Sequence, residues 1–392
     1  MRLEELMSNW PSITLGAEAD LKDIEKLYSR VLMKMGPISL KYQINSSFQK
    51  FLNYQGEKSF IFLMRNSNGA LKGMAIFTIR YIWSEGRKLR SLYMSDLRVE
   101  RGIEREPRLA WRALLTAILH QKNEIDEFKD IDLLYGIILA KNNKAIRALV
   151  TGFPEISWDK IFDYQALSII GRKPLHWVNF GKTYGSYSFE KIQRENISEL
   201  KDFYSKQFQT KTWGEYFNFD DPQNEWERRS KSWDDFDMTE FVVIKNCHGK
   251  IIAATLPWSP GKAKKMILDR CQKSLLFFLT LFPLIGKKKY GLKQAIDMLY
   301  FTFLEFDKSL DDRELQVVLG MLLDGLYKNN IIQNYHCVTI CSPVKDLSLL
   351  KEKYILENTP ALTFNIYAKS QKEDAPSFST EIGGALVELA LA

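Results

Sequence analysis

The order of hydrophobic periodicities in this 392-residue chain occurs twice, and that repetition limits its possible folds more than any single motif does. In the first half, a helical pattern over 17–35 precedes two alternating apolar runs within 58–83. These are joined at Asn68–Gly69, a pair that favours a tight hairpin turn. A strand pattern over 91–99, a helix over 107–121, a strand over 131–139, a short helix over 142–153 and a last strand over 162–170 follow. The second half repeats the order: helix 194–208, strand–turn–strand 239–258 about Gly249, strand 298–309, helix 312–329, strands 335–343 and 361–369. This α/β order predicts two tandem modules, over 1–172 and 190–370, each a mixed, mostly antiparallel twisted sheet flanked by helices. The join falls near 172–192, the second module carries an insertion over 260–296, and a polar tail runs over 371–392.

Composition supports two packed cores, since 45% of residues are hydrophobic and 13% aromatic. The longest apolar stretch, 274–286, is interrupted by Pro283 and falls short of the roughly 18–20 residues of a membrane span. The first residues hold no apolar run of signal-peptide length, so the expected location is cytoplasmic. The four cysteines form neither a disulfide framework nor a zinc spacing, and no metal is expected. Cys247–His248 and His336–Cys337 are read as strand residues. A net charge of +7 suits an anionic ligand: a nucleotide cofactor, a lipid headgroup or RNA.

Three segments of the first half carry a resemblance. "ITLGAEADLKDIEKLY" (13–28), "LRV" (97–99) and "NNKAIRALVTGF" (142–153) are similar to parts of the GNAT superfamily of acyl-CoA-dependent N-acyltransferases. They match its opening strand and helix, the end of its fourth strand, and the segment after its fifth strand. Asn142, Ala145, Ile146, Gly152 and Phe153 carry the last match. The resemblance covers most of 13–170 and, by pattern only, about 190–370. It implies acyl-CoA, acetyl-CoA or longer, as donor substrate, with the pantetheine arm between strands four and five. The turn after strand four would wrap the pyrophosphate with backbone amides at a helix N-terminus. Carried onto this chain, the cofactor-binding residues are Leu97, Val99, Arg105, Arg108, Leu109, Ala110 and Asn142. Asp96 is the catalytic candidate, as the base that deprotonates the incoming amine.

The chain also departs from the family pattern. The loop reads Arg105-Glu106-Pro107-Arg108-Leu109-Ala110, with Arg108 in place of the first glycine. Glu100, Glu104 and Glu106 balance Arg101, Arg105 and Arg108. Leu149 stands where the family places its acidic tyrosine, leaving Tyr93, Tyr135 and Tyr164 as substitutes. The second module's loop, "KSLDDRELQVV" (308–318), is acidic and lacks glycine, so the first module is expected to bind the cofactor. The second is then a substrate platform or a degenerate copy. Residues 261–293 carry nine basic side chains and one acidic one around an apolar core. They suit either an anionic membrane surface, making the protein peripheral to the inner face, or a helix pair covering a sheet. The acceptor implied is a small-molecule or peptide amine. Two other readings stand beside the acyltransferase: a Fem-type transferase using aminoacyl-tRNA, and a non-catalytic binding or membrane-associated module on a degenerate scaffold.

Overall fold

The alternating runs around Asn68–Gly69 form a hairpin, and Gly69 takes the left-handed φ of +77° that such a turn requires. In the computed structural model, all residues are described except 36, 45–47, 174–177, 181–185, 210, 212, 234, 281–287, 343, 345 and 373–392. Most of the expected tail, much of the expected join and the end of the apolar stretch 274–286 therefore lie outside the described residues.

The strands of the first half are β1 (Ile13–Leu15), β2 (Met33–Met35), β3 (Ile38–Ile44), β4 (Lys58–Arg65), β5 (Leu71–Ser84), β6 (Arg87–Val99), β7 (Leu133–Leu139) and β8 (Ile156–Arg172). Those of the second are β9 (Ser188–Lys191), β10 (Gly214–Glu215), β11 (Val242–Lys245), β12 (Ile251–Trp258), β13 (Lys264–Cys271), β14 (Ala295–Ile296), β15 (Met298–Phe306), β16 (Cys337–Ser342) and β17 (Tyr354–Ala368). The helices used below are α1 (Leu21–Arg30), α2 (Arg105–His120), α3 (Ile197–Phe208), α4 (Lys273–Thr280) and α5 (Asp312–Lys328).

One large sheet runs β1-β4-β5-β6-β7-β17-β8-β16-β15-β12-β11-β9, with β10 on the end of β5. Read from either edge, the order meets equivalent strands and converges on β17 and β8. These two long strands pair along nearly their whole length, from Tyr354↔Arg172 to Ala368↔Ile156. Each also reaches past its own module: β17 pairs with β7, and β8 with β16. Two GNAT-like modules thus exchange their last strands inside one continuous sheet. Among the described residues only β6–β7 and β15–β16 pair in parallel.

Strand alternation sends Phe62, Phe77, Leu92 and Met94 to one face, where Trp111, Leu114 and Ile118 of α2 cover them. The second module repeats this with Leu299, Phe301 and Val338 beneath Val317, Val318 and Leu322 of α5. Between the modules lies an aromatic core of Tyr204, Trp226, Phe241 and Phe303, continuous with Tyr28, Phe48 and Phe51 of the first module.

The insertion differs from the helix pair considered above. Residues 264–271 form β13, which pairs with β3 from Lys264↔Ile44 to Cys271↔Ile38 in a separate sheet ordered β14-β13-β3-β2. The helical reading fails there because Ile267 and Leu268 are buried as strand residues against the first module. Among the described residues of the insertion only the following α4 is helical, and Phe277 on it is 63% exposed. Likewise the helix expected over 17–35 ends at Arg30, and 33–35 and 38–44 are strands of the same small sheet. No helix among the described residues is long and apolar enough to cross a membrane.

Candidate active site

Strands β6 and β7 run in parallel register from Ser91↔Leu133 to Met94↔Gly136 and then stop pairing. The cause is written in the neighbouring ladder. Ile76 faces Ser95 and Met74 faces Arg98, so Ala75 alone opposes Asp96 and Leu97. That is a β-bulge on β6, and Asp96 holds a left-handed φ of +47°. Beyond it, Glu100 donates its amide to Lys72 O at 2.8 Å, toward β5. Successive strand amides point to opposite edges, so those of Leu97 and Val99 face the opening where β7 has diverged.

The second module repeats the device. Strands β15 and β16 pair from Met298↔Cys337 to Tyr300↔Thr339 and then separate. Thr255 opposes both Phe303 and Leu304, and Phe303 has φ +52°.

At the open end of the first gap, the loop 100–104 leads into α2. Its shape is set by the β4–β5 turn rather than by a run of glycines. Asn66 Nδ2 donates to Gly102 O at 3.1 Å and Asn66 Oδ1 accepts from Glu104 N at 3.0 Å. All three loop glutamates are engaged away from the helix end. Glu104 accepts from Ser67 N and Oγ at 2.9 and 3.0 Å, and Glu106 from Ser12 Oγ at 2.9 Å. Glu100 pairs with Arg30 at 3.1 Å and Lys72 at 3.2 Å. By contrast Arg101, Arg105 and Arg108 are exposed and have no partner among the described residues. No side chain caps α2, which leaves the amides of Arg105 and Glu106 open. The groups turned to solvent at this helix end are therefore three arginines and open amides, with the charges of Glu104 and Glu106 held to the side by Ser67 and Ser12.

The second module lacks this. Asp311 caps α5 through the amides of Arg313 and Glu314 at 2.9 and 2.8 Å, and Glu314 returns a bond to Asp311 N at 3.1 Å. Its helix end is already filled with carboxylate.

The remaining expected residues fall in several environments. Val99 and Leu109 are 43% and 49% exposed, giving apolar surface beside the arginines. Leu97 is half-buried against the α2 face, and Ala110 packs beneath that helix. Asn142 lies beyond the end of β7, where its side chain accepts from Ala145 N at 3.2 Å as a helix cap. Leu149 is core. Tyr93, Tyr135 and Tyr164 share one buried cluster with Trp213. Tyr93 and Tyr135 are directly paired just below the divergence, their rings 5.0 Å apart. Arg80 lies 4.1 Å over the Tyr93 ring and donates to the Tyr135 hydroxyl at 3.5 Å. Burial pushes the Tyr93 hydroxyl up to about 12 and raises Tyr135 as well, against the pull of Arg80.

Asp96 is the centre of a buried ion triad. Arg98 Nη2 lies 2.8 Å from one carboxylate oxygen and Lys264 Nζ 3.0 Å from the other. Burial alone would raise its pKa, but Lys264 and Arg98 outweigh it and hold the carboxyl well below the usual range. A carboxylate so stabilised is a weak proton acceptor. Sequence reading did not single out Arg98, Asn66, Ser67 or Lys264. Lys264 is one of nine basic residues in its segment and nothing local distinguishes it. Among the described residues, no group of three or more His, Cys, Asp or Glu side chains is placed to hold a metal.

No family model matches the sequence, and no curated protein matches it significantly. Solved structures do. N-myristoyltransferase of Saccharomyces cerevisiae with bound myristoyl-CoA superposes with a TM-score of 0.57 at 11% identity, covering 96% of this chain and 90% of that one. A GCN5-related glucosamine N-acetyltransferase region of a fungal multi-domain beta-N-acetylglucosaminidase gives 0.56 at 11%, over 91% of this chain and 38% of that protein. A GCN5-related N-acetyltransferase of Sphaerobacter thermophilus gives 0.50 at 9%, over 96% and 97%. At these identities the likeness is one of fold. The paired bulges, the two diverging strand pairs and these superpositions agree that the chain has the GNAT fold, laid out twice in one sheet.

Proposed function

We propose that the protein is an acyl-CoA-dependent N-acyltransferase whose first module carries the donor site. One observation carries this reading: β6 and β7 part above Met94–Gly136 with the amides of Leu97 and Val99 turned into the opening. Two amides aimed at one edge can polarise a thioester carbonyl as charge develops on its oxygen. The donor would supply the thioester and a diphosphate. Arg105, Arg108 and the uncapped amides of α2 would hold the diphosphate, and Val99 and Leu109 would offer apolar contact. The solved relatives support an acyl-CoA donor and an amine acceptor in kind, since one holds myristoyl-CoA and another is a glucosamine N-acetyltransferase.

In this reading Asp96 shapes the gap rather than taking a proton. The protonated hydroxyls of Tyr93 and Tyr135, at the base of the gap, are the candidate donors to the departing thiolate, and the proton that the attacking amine nitrogen releases would reprotonate the tyrosinate. The second module, with its self-capped α5, serves as scaffold and acceptor platform.

The test is direct binding. Acetyl-CoA and myristoyl-CoA at saturation should raise the melting temperature of the full chain. At 100 times the dissociation constant the expected gain is about 2.7 kcal/mol. The double variant Arg105→Ala/Arg108→Ala should weaken binding about 10- to 100-fold, as loss of two charge-assisted contacts of about 1.5–3 kcal/mol each, partly replaced by water, implies. Absence of any shift with either ligand sinks the reading.

A further inference from the structure

The ion triad at the bulge joins two modules, since Asp96 and Arg98 belong to β6 whereas Lys264 lies on β13 of the insertion, 168 positions away. We propose that Lys264 is a positioning residue for the gap: its ion pair with Asp96 holds the β6 bulge, so the second module's insertion directs the Leu97 and Val99 amides of the first. This rests on the reading of the gap as the donor site.

Three observations carry it. First, Asp96 sits in the left-handed region, where an L-residue persists only if its surroundings hold it there. Its side chain is buried and both oxygens are taken, by Arg98 at 2.8 Å and Lys264 at 3.0 Å. Secondly, Lys264 is itself buried, with Asp96 as its one counter-ion among the described residues. Its ammonium is seated 4.5 Å from the Tyr42 ring and 4.7 Å from that of Phe51. Removing the Asp96 charge strands Lys264 in low dielectric, and removing Lys264 leaves Asp96 with Arg98 alone and one buried oxygen without its cation. Thirdly, the equivalent bulge of the second module has no ion pair at its bulge residue, although the Arg229 guanidinium lies 4.7 Å from the Phe303 ring. Phe303 is fully buried among Tyr204, Phe217, Trp226 and Trp233, and Tyr204 donates its hydroxyl to Phe303 O. The same backbone device is therefore held by aromatic packing with one cation over the ring in one module and by a cross-module ion pair in the other.

Arg98 cannot fill the role alone. Its guanidinium packs 4.3 and 4.6 Å from the Tyr28 and Tyr42 rings, but its backbone is part of the bulge, two residues from Asp96, whereas the Lys264 backbone is held independently along β3. The groups facing Asp96 are Arg98 and Tyr93 from β6, Lys264 from β13 and Tyr28 from α1, and Tyr42 of β3 lies against Arg98 and Lys264.

The experiment uses the full chain and the variants Lys264→Met, Lys264→Arg, Asp96→Asn and Asp96→Asn/Lys264→Met. Hydrogen exchange is followed across 95–99 and 302–306, and myristoyl-CoA binding is measured from pH 5 to 8. Lys264→Met should speed exchange at least tenfold over 95–99 and leave 302–306 unchanged. It should weaken myristoyl-CoA at least tenfold across the whole pH range. Lys264→Arg should restore both properties. Asp96→Asn should mimic Lys264→Met, and the double variant should lose no more than either single one. Unchanged exchange over 95–99 in both Lys264→Met and Asp96→Asn overturns the proposal, as does failure of Lys264→Arg to rescue. If Lys264→Met does not fold, Asp96→Asn and Lys264→Arg decide by the same readouts. If wild type binds no acyl-CoA, the functional reading fails while the exchange data still decide the role of Lys264.

Discussion

Asp96 and Phe303 occupy equivalent bulges, yet one is charged and strapped by cations while the other is an aromatic ring in a core. What a residue does here follows from its neighbours more than from its type. Asn142 illustrates this, since the side chain that carries the sequence resemblance spends its acceptor on a helix cap. His336 is a second case. It is 3% exposed; Nδ1 accepts from Asp297 N at 2.9 Å, so Nε2 carries the proton and faces Lys289 O at 3.0 Å. Burial lowers its pKa below 6.5, ahead of the opposing pull of Asp297 and Lys289. Protonation would set an N–H against the Asp297 amide. Below about pH 6.5 the unfolded chain then binds more protons than the folded one, so stability should fall as pH drops through and below that value. Denaturant titrations at pH 7.5, 6.5 and 5.5 should show this slope, and His336→Gln should flatten it. An equal slope in both proteins would refute the assignment.

The elements α2 and α5 are equivalent in the fold and opposite in their ends. One leaves amides open among arginines, and the other is closed by Asp311 and Glu314. Their bodies differ too. At Gly325 on α5 an added Cβ would come within 2.2 Å of the Phe189 ring of β9, and at Gly320 within 2.5 Å of Phe180. Alanine normally favours a helix over glycine by about 0.5–1 kcal/mol. Overpacking costs about 1–3 kcal/mol, so the clash should win. Gly325→Ala is expected to destabilise by about 1–2 kcal/mol in urea unfolding, and a stabilised variant would show that Phe189 yields freely. Neither glycine is marked by local pattern; each is explained only by the ring that packs on it.

At the scale of the whole molecule, the exchange of β8 and β17 binds the modules into one sheet. Residues 1–192 alone would lack β17 between β7 and β8, exposing two long strand edges. That fragment is expected to aggregate or remain unfolded, and the full chain to unfold in one transition; a dispersed amide spectrum from the isolated fragment would contradict this. The partition between sequence and tertiary structure follows the same line. Helices, hairpins and the turns at Gly69 and Gly249 were readable because periodicity and turn chemistry act over a few residues. The doubled order of elements, and hence the GNAT resemblance, rested on those local signals. Tertiary structure alone decided that β13 joins β3, that each module completes the other's sheet, that the loop glutamates turn toward Ser12, Ser67, Arg30 and Lys72, and that Asp96 meets Lys264. Those contacts join residues tens to hundreds of positions apart, and no local preference specifies a partner at such a distance.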